Sequence, residues 1–361
     1  KLNRDTITRY QYMFIIVGTM IGIGIGFLGS SGAAVAHQDS WITTLISGIY
    51  PIIIVITAYI IDKKANHDDF WIILKKVYGK LIGFIILLIF LMYFLTIMSS
   101  VVAGFSNNLT QTISSFLSPY RIIIPCLLVS TVITMSGLNT VGRISEFYFY
   151  LTVVFILPLL FLIPEGTILN IQPVFHSPKE IPRGMLENLT QYSLVEISFI
   201  IISKISNRKH VLRAGIIACT ITTVIYTFVS FVVIFYLGWE LASRIDFPLF
   251  YMIGTISFPI FSNLTSVFIF FWGLIVLKTI VCCNYMVSYC ISSFSGLSDK
   301  ISAVISSCIV LVYSYFMISE HNRLDIVDSY LKYFILFSLV FGIVTAILVQ
   351  VRYRSKKNEK I

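Results

Sequence analysis

The chain has 361 residues, 57% of them hydrophobic and 12% charged, with a mean hydropathy of +0.90. Soluble domains carry about 25% charge, so this composition excludes a soluble globular protein and points to a polytopic membrane protein. The formal charge of +9 fits cytoplasmic loops rather than a nucleic-acid surface, because no basic face exists apart from those loops. At roughly 20 residues per span, the length suits about ten helices and leaves no room for a sizeable soluble domain. The six cysteines lie mostly in apolar runs without metal or disulfide spacing, and read as small buried hydrophobes. The chain begins at Lys1 without Met, so a few preceding residues are expected to be missing.

The apolar runs predict spans at 11–35, 41–61, 81–104, 121–138, 145–164, 187–204, 211–238, 261–287, 300–318 and 329–351. Span one contains Gly18-Thr19-Met20-Ile21-Gly22-Ile23-Gly24-Ile25-Gly26. Glycine weakens a helix and frees the backbone to unwind. In a membrane, unwound backbone survives only where it is buried in protein or lines a cavity. We therefore expect a break here, enclosed by the rest of the chain. The pairs Gly18/Gly22 and Gly22/Gly26 also predict close helix packing, which is compatible with a break. Ala34-Val35-Ala36 resembles a signal-peptidase site, but the apolar stretch before it is too long and glycine-rich, and the segment is kept as span one. Asp39 or Ser40 is expected to cap span two, with Trp41 at the interface. Residues 67–79 alternate apolar and charged positions at helical spacing, as in a helix lying along the membrane surface.

With the N-terminus inside, Lys and Arg divide about three to one in favour of the inner side, which places both termini in the cytoplasm. The longest outer connection, 164–187, separates two sets of five spans. These form two repeats of opposite topology, 11–164 and 187–351, within one transmembrane domain covering 1–361. Span six, the counterpart of span one, should then be interrupted as well.

Span six opens unusually polar, Glu187-Asn188-Leu189-Thr190-Gln191-Tyr192-Ser193-Leu194-Val195-Glu196, and Glu196 lies within the membrane. Lys278 sits in the middle of span eight, too far from either end to snorkel easily. Both groups need partners, since a lone charge in hydrocarbon is expensive. A functional proton or cation role is one reading. A structural Lys278–Glu196 pair, or a polar network that glues helices together, is the other. An unwound span one would offer carbonyls to Lys278, where a transported Na⁺ would otherwise bind. Tyr93, Tyr192 and Trp272 are candidate pocket residues. No catalytic constellation, metal spacing, phosphate loop or dinucleotide fingerprint appears in a suitable context, so neither an enzyme nor a cofactor is expected.

Gly22-Ile23-Gly24-Ile25 resembles the glycine-rich first-helix break of the amino acid–polyamine–organocation superfamily. Asp39-Ser40-Trp41 and Gly142-Arg143-Ile144-Ser145-Glu146 are similar to helix entries of spore-germination permeases, and Tyr192-Ser193-Leu194-Val195-Glu196 aligns with their sixth-helix break. Pro248, and Lys278 in an aromatic-rich span, fit the same pattern. Together these resemble the B subunit of nutrient germinant receptors across nearly the whole chain. The resemblance implies an all-α, LeuT-like fold of about ten helices in a 5+5 inverted repeat, with helices one and six broken. It also implies the inner membrane of a bacterial spore and two partners, a membrane-anchored A subunit and a lipoprotein C subunit. Superfamily members often carry small residues at the sixth-helix break, so Leu194 predicts a narrower pocket or a shorter break.

The expected role is nutrient sensing, with an amino acid the leading ligand. Its carboxylate would lie near backbone N–H groups around Thr19, Gly22 and Gly24, and its ammonium near Ser193 and Tyr192. Gly18, Tyr93 and Leu194 complete the expected ligand-binding set, and Glu196 and Lys278 form the charged pair of interest. The alternatives are a proton-coupled amino acid transporter and a ligand-gated ion or water conduit.

Overall fold

The computed structural model describes residues 5–112, 116–176, 178–256 and 264–358, and the described residues are predominantly helical. Span one starts on a capping box. Thr8 Oγ1 accepts the Gln11 N–H (3.2 Å) and Gln11 Oε1 accepts the Thr8 N–H (2.8 Å). The helix Arg9–Met20 then stops, and Ile21 (φ −80°, ψ 86°) and Gly22 (φ −130°, ψ −126°) leave helical geometry. A 3₁₀ segment follows at Ile23–Phe27, and the helix resumes at Ser30–Ala36 after Gly29 in left-handed conformation (φ 88°). The expected break is present. So is the close packing, because a Cβ on Gly18 would stand 3.1 Å from the Lys278 side chain and one on Gly22 2.7 Å from Thr279 Oγ1.

Span two is Ser40–Ser47 and Ile49–Lys64, joined at Gly48. Asp39 holds the N-cap position, as expected, but its side chain makes no capping hydrogen bond to the helix. Its carboxylate accepts the Phe175 N–H (2.8 Å), which pins the long connection before span six to the start of span two. The helix Phe70–Thr112 is interrupted at Gly79 (φ 83°, ψ 174°), so that 70–78 forms the expected amphipathic segment ahead of span three. Phe70, Ile73, Leu74 and Val77 are buried there while Lys75 and Lys76 are exposed. Spans four and five are Tyr120–Met135 and Leu138–Ile156, the latter extended as a 3₁₀ segment, Leu157–Glu165.

Span six is built from short pieces: Ile181–Leu189, Thr190–Tyr192, Val195–Ile197, Ser198–Ile201 and Ile202–Lys204. Its break falls at Ser193 and Leu194, and Leu194 takes positive φ (74°). Span seven (Val211–Leu237) leads through the loop helices Trp239–Ala242 and Pro248–Thr255 to span eight, Leu264–Ser295. The expected start of span eight at 261 lies outside the described residues. Spans nine and ten are Asp299–Tyr315 and Glu320–Asn358. Six helical stretches among the described residues are long and apolar enough to cross a membrane, among them Phe70–Thr112, Val211–Leu237 and Thr265–Ser295.

Span eight packs along span three, span one packs between spans five and seven, and Tyr192, Val195, Glu196 and Ile197 of span six are buried, so both broken helices lie inside the bundle. One end of the bundle is held closed by contacts between the chain ends and loops, beside a surface cavity of about 500 Å³ lined by Asp5, Asp69 and Lys204. There the Ile7 N–H donates to the Lys204 carbonyl and the Ser206 N–H to the Ile7 carbonyl. Lys204 pairs with Asp69 (2.6 Å), Arg208 with Asp62 (2.8 Å), and Tyr353 Oη donates to Asp68 (2.9 Å). The first and last spans therefore meet at the same end, as an even number of spans requires.

Gly79 occupies a backbone region essentially restricted to glycine, yet an added Cβ would meet nothing within 4 Å. Gly79→Ala is expected to lower unfolding stability in detergent by about 1–3 kcal/mol through backbone strain alone. An unchanged unfolding midpoint would contradict the sharp turn placed before span three.

Candidate functional site

An interrupted helix in a membrane exposes carbonyls and N–H groups that water cannot reach, and neighbouring side chains must meet them. Three carbonyls around the span-one break are met in this way. Thr279 Oγ1 donates to the Gly18 carbonyl (3.4 Å), Tyr226 Oη to Met20 (2.5 Å) and Lys278 Nζ to Ile21 (3.2 Å). Lys278 is 1% exposed, and its aliphatic stem lies against Gly18, where no larger residue would fit without displacing it.

The span-six break is held from span three. The Leu194 N–H donates to Tyr93 Oη (2.8 Å), and the same hydroxyl donates to Glu196 Oε2 (3.0 Å). Glu196 is fully buried. Its other oxygen accepts from Tyr50 Oη of span two and from Ser338 Oγ of span ten (3.3 Å). Three hydroxyls from three helices thus surround one carboxylate, which satisfies its acceptors without a cation. Among the described residues no ion pair joins Lys278 and Glu196; each charge has its own set of partners.

A cavity of about 270 Å³ lies between the two breaks, on the side away from the closed end. Of the residues expected to bind ligand, Thr19, Gly22, Gly24, Ser193 and Leu194 line it. Gly18 instead faces Lys278, and Tyr93 sits behind Leu194. Tyr192 packs on Tyr226 (5.2 Å between ring centroids) and turns its hydroxyl to the Thr44 carbonyl (2.8 Å). Trp272 is buried between Phe105 and Phe250. Ser31, Gln191 and Asp246 add polar groups to the lining, while Ile97, Val101 and Leu331 make an apolar wall from spans three and ten.

Arg323 falls between the expected spans nine and ten, 300–318 and 329–351. It is 3% exposed, lines this cavity, and pairs with Glu320 through both Nη2 and Nε (3.0 Å for Nε). Its guanidinium also donates to Ser100 Oγ (3.1 Å) and lies 5.5 Å from the Phe27 ring centre, over the 3₁₀ segment of span one. The spacing Glu320-x-x-Arg323, a helical i, i+3 pair, was the signal for it. Tyr226, Tyr50 and Ser338 carry no such signal.

Two broken helices inside a bundle of several apolar helices, with a small cavity between the breaks, define an integral membrane protein of LeuT-like, transporter-type fold. The structure is similar to that of MhsT in complex with L-phenylalanine, with a TM-score of 0.73 and 15% identity over 96% of this chain and 89% of that one. The chain also matches the family model for spore germination proteins over residues 6–323, and it belongs to that family. It is similar to spore germination protein GerQB of Bacillus cereus, at 21% identity over 90% of each chain. It is likewise similar to spore germination protein YndE of Bacillus subtilis strain 168, at 22% identity over 98% of each. The resemblance drawn from Gly22–Ile25, Tyr192–Glu196 and Lys278 is therefore borne out at the level of family and fold.

Tyr93→Phe removes both the acceptor for the Leu194 N–H and a donor to Glu196. It is expected to cost about 1–3 kcal/mol, the usual penalty for a buried polar group left without its partner. Thermal unfolding of the purified chain in detergent reads the loss, and an unchanged midpoint would contradict the bridge between spans three and six.

Proposed function

We propose that the chain is the nutrient-sensing membrane subunit of a spore germination receptor, and that an amino acid binds in the cavity between the two breaks. The observation that carries this reading is the lining itself, where backbone of both interrupted helices faces one small, part-polar space. The first N–H groups of the 3₁₀ segment Ile23–Phe27 lack partners within that segment and suit a carboxylate. Gln191 and Ser193 offer oxygens to an ammonium group, and the wall of Ile97, Val101 and Leu331 suits a small apolar side chain. The L-phenylalanine bound by MhsT, a protein of the same fold, supports an amino acid as the class.

Binding shifts a bundle with two states only through differential affinity for them. The closed end, fastened by Lys204–Asp69 and Arg208–Asp62, opposes the cavity and is the element whose opening the ligand would bias. The signal passes to an A subunit and a lipoprotein C subunit in the spore inner membrane, with both termini of this chain in the cytoplasm. These placements rest on the family and on the distribution of Lys and Arg. In the repeat reading, residues 11–164 and 187–351 are the two halves, with the breaks at corresponding places in spans one and six.

A second reading, proton-coupled transport, is favoured by Lys278, an ammonium held against a carbonyl of the broken helix where a coupling cation would otherwise sit. Purified protein in liposomes separates the two. Ligand uptake driven by a pH gradient and lost in Lys278→Met supports transport, whereas binding without uptake supports sensing.

Thermal unfolding of the purified chain in the presence of single amino acids is expected to show stabilisation that grows with ligand concentration. Ser193→Trp, which fills the cavity from the span-six break, should abolish that shift. Failure of every amino acid to stabilise the wild type, or an undiminished shift in the variant, would refute the proposal.

A further inference from the structure

A second cavity, of about 420 Å³, lies between spans three and ten and backs onto the central cavity across a shared wall. Its lining is almost wholly hydrocarbon. Met92 (59% exposed) and Tyr330 (66% exposed) stand at the rim, and the floor is Tyr93 stacked on Phe334, with ring centroids 3.6 Å apart and planes 8° from parallel. The groove is continuous with the exposed apolar face of span three, which includes Leu81, Ile85 and Leu88, and with that of span ten, which includes Leu336 and Val340. Both helices belong to stretches long and apolar enough to cross the membrane, so this face borders lipid.

A groove of this kind is not left empty. Water needs two to four polar partners, and the lining offers almost none. A vacant apolar space forfeits dispersion contacts along its whole wall, and fluid hydrocarbon on the open side restores them at little cost. We propose that the groove is a binding site for one acyl chain of a bilayer lipid, seated on the Tyr93–Phe334 stack. That chain lies against the ring whose hydroxyl holds the Leu194 N–H and Glu196, one side chain away from the span-six break. On the inner side Ile97, Val327 and Leu331 line both this groove and the central cavity, and separate the lipid from the ligand space.

The test uses the full chain in phosphatidylcholine vesicles containing a phosphatidylcholine with a photoactivatable diazirine on one acyl chain. Adducts are mapped by mass spectrometry. Adducts on the floor residues Tyr93 or Phe334 are expected, with loss of those adducts in Ile89→Trp, which fills the groove from the lipid side, while labelling of Leu128 and Val132 on span four persists. Adducts confined to rim residues such as Met92 and Tyr330, or floor adducts undiminished in Ile89→Trp, would overturn the assignment. Absence of floor adducts while Leu128 and Val132 are labelled, as expected if a second helix covers the groove, would overturn it as well.

Discussion

The structure depends on one constraint: a helix broken inside a membrane must have its freed backbone groups met by side chains from other helices. The cost of leaving one unmet is several kcal/mol, against about 1 kcal/mol for a glycine in a helix. Glycines therefore permit the break in span one, but Thr279, Tyr226 and Lys278 sustain it by holding the carbonyls of Gly18, Met20 and Ile21. Each of those donors fixes a neighbour in register, which sets how spans seven and eight lie against span one. The same logic acts at span six, where Tyr93 takes up the Leu194 N–H and locks span three to the break.

The two buried charges follow from this arrangement. A direct Lys278–Glu196 pair would satisfy both groups, yet the chain keeps them apart and gives Glu196 three hydroxyls and Lys278 the Ile21 carbonyl. Glu196 draws spans two, three, six and ten together through Tyr50, Tyr93 and Ser338. Lys278 ties span eight to span one. Either charge alone in hydrocarbon would be expensive, so each marks a point where several helices must remain in contact for the fold to hold. The cavity lies between these two fastenings, and a ligand there touches backbone on both sides.

Much of this was legible in the sequence, and the reasons differ by residue. The glycine run at 18–26 announced a break because glycine is so unlike its neighbours in an apolar span, although the last helical residue is Met20, ahead of Gly22. The polar opening of span six announced its partner. Leu194 gave no warning of its positive φ, a conformation that bulky residues seldom adopt, and only the enclosing contacts account for it. Asp39 does stand at the helix N-cap, the place an Asp before an apolar run usually takes, but its carboxylate accepts a distant backbone N–H at Phe175 in place of a helix N–H. Arg323 read as a loop residue because it precedes the apolar part of span ten, whereas its pairing with Glu320 lets it enter the bundle. Tyr50, Tyr226 and Ser338 were hidden for a simpler reason: in a chain with 15% aromatic residues, nothing local separates a tyrosine that holds a backbone group from one that packs.

The most direct measurement is a cryo-electron microscopy map of the chain in a lipid nanodisc, prepared with a saturating amino acid ligand. The account predicts ligand density between Gly22–Gly24 and Gln191–Ser193, with span one interrupted at Ile21 and the Lys278 ammonium in contact with the Ile21 carbonyl. A continuous helix through Gly22–Gly26, or ligand density at any other place in the bundle, would contradict it.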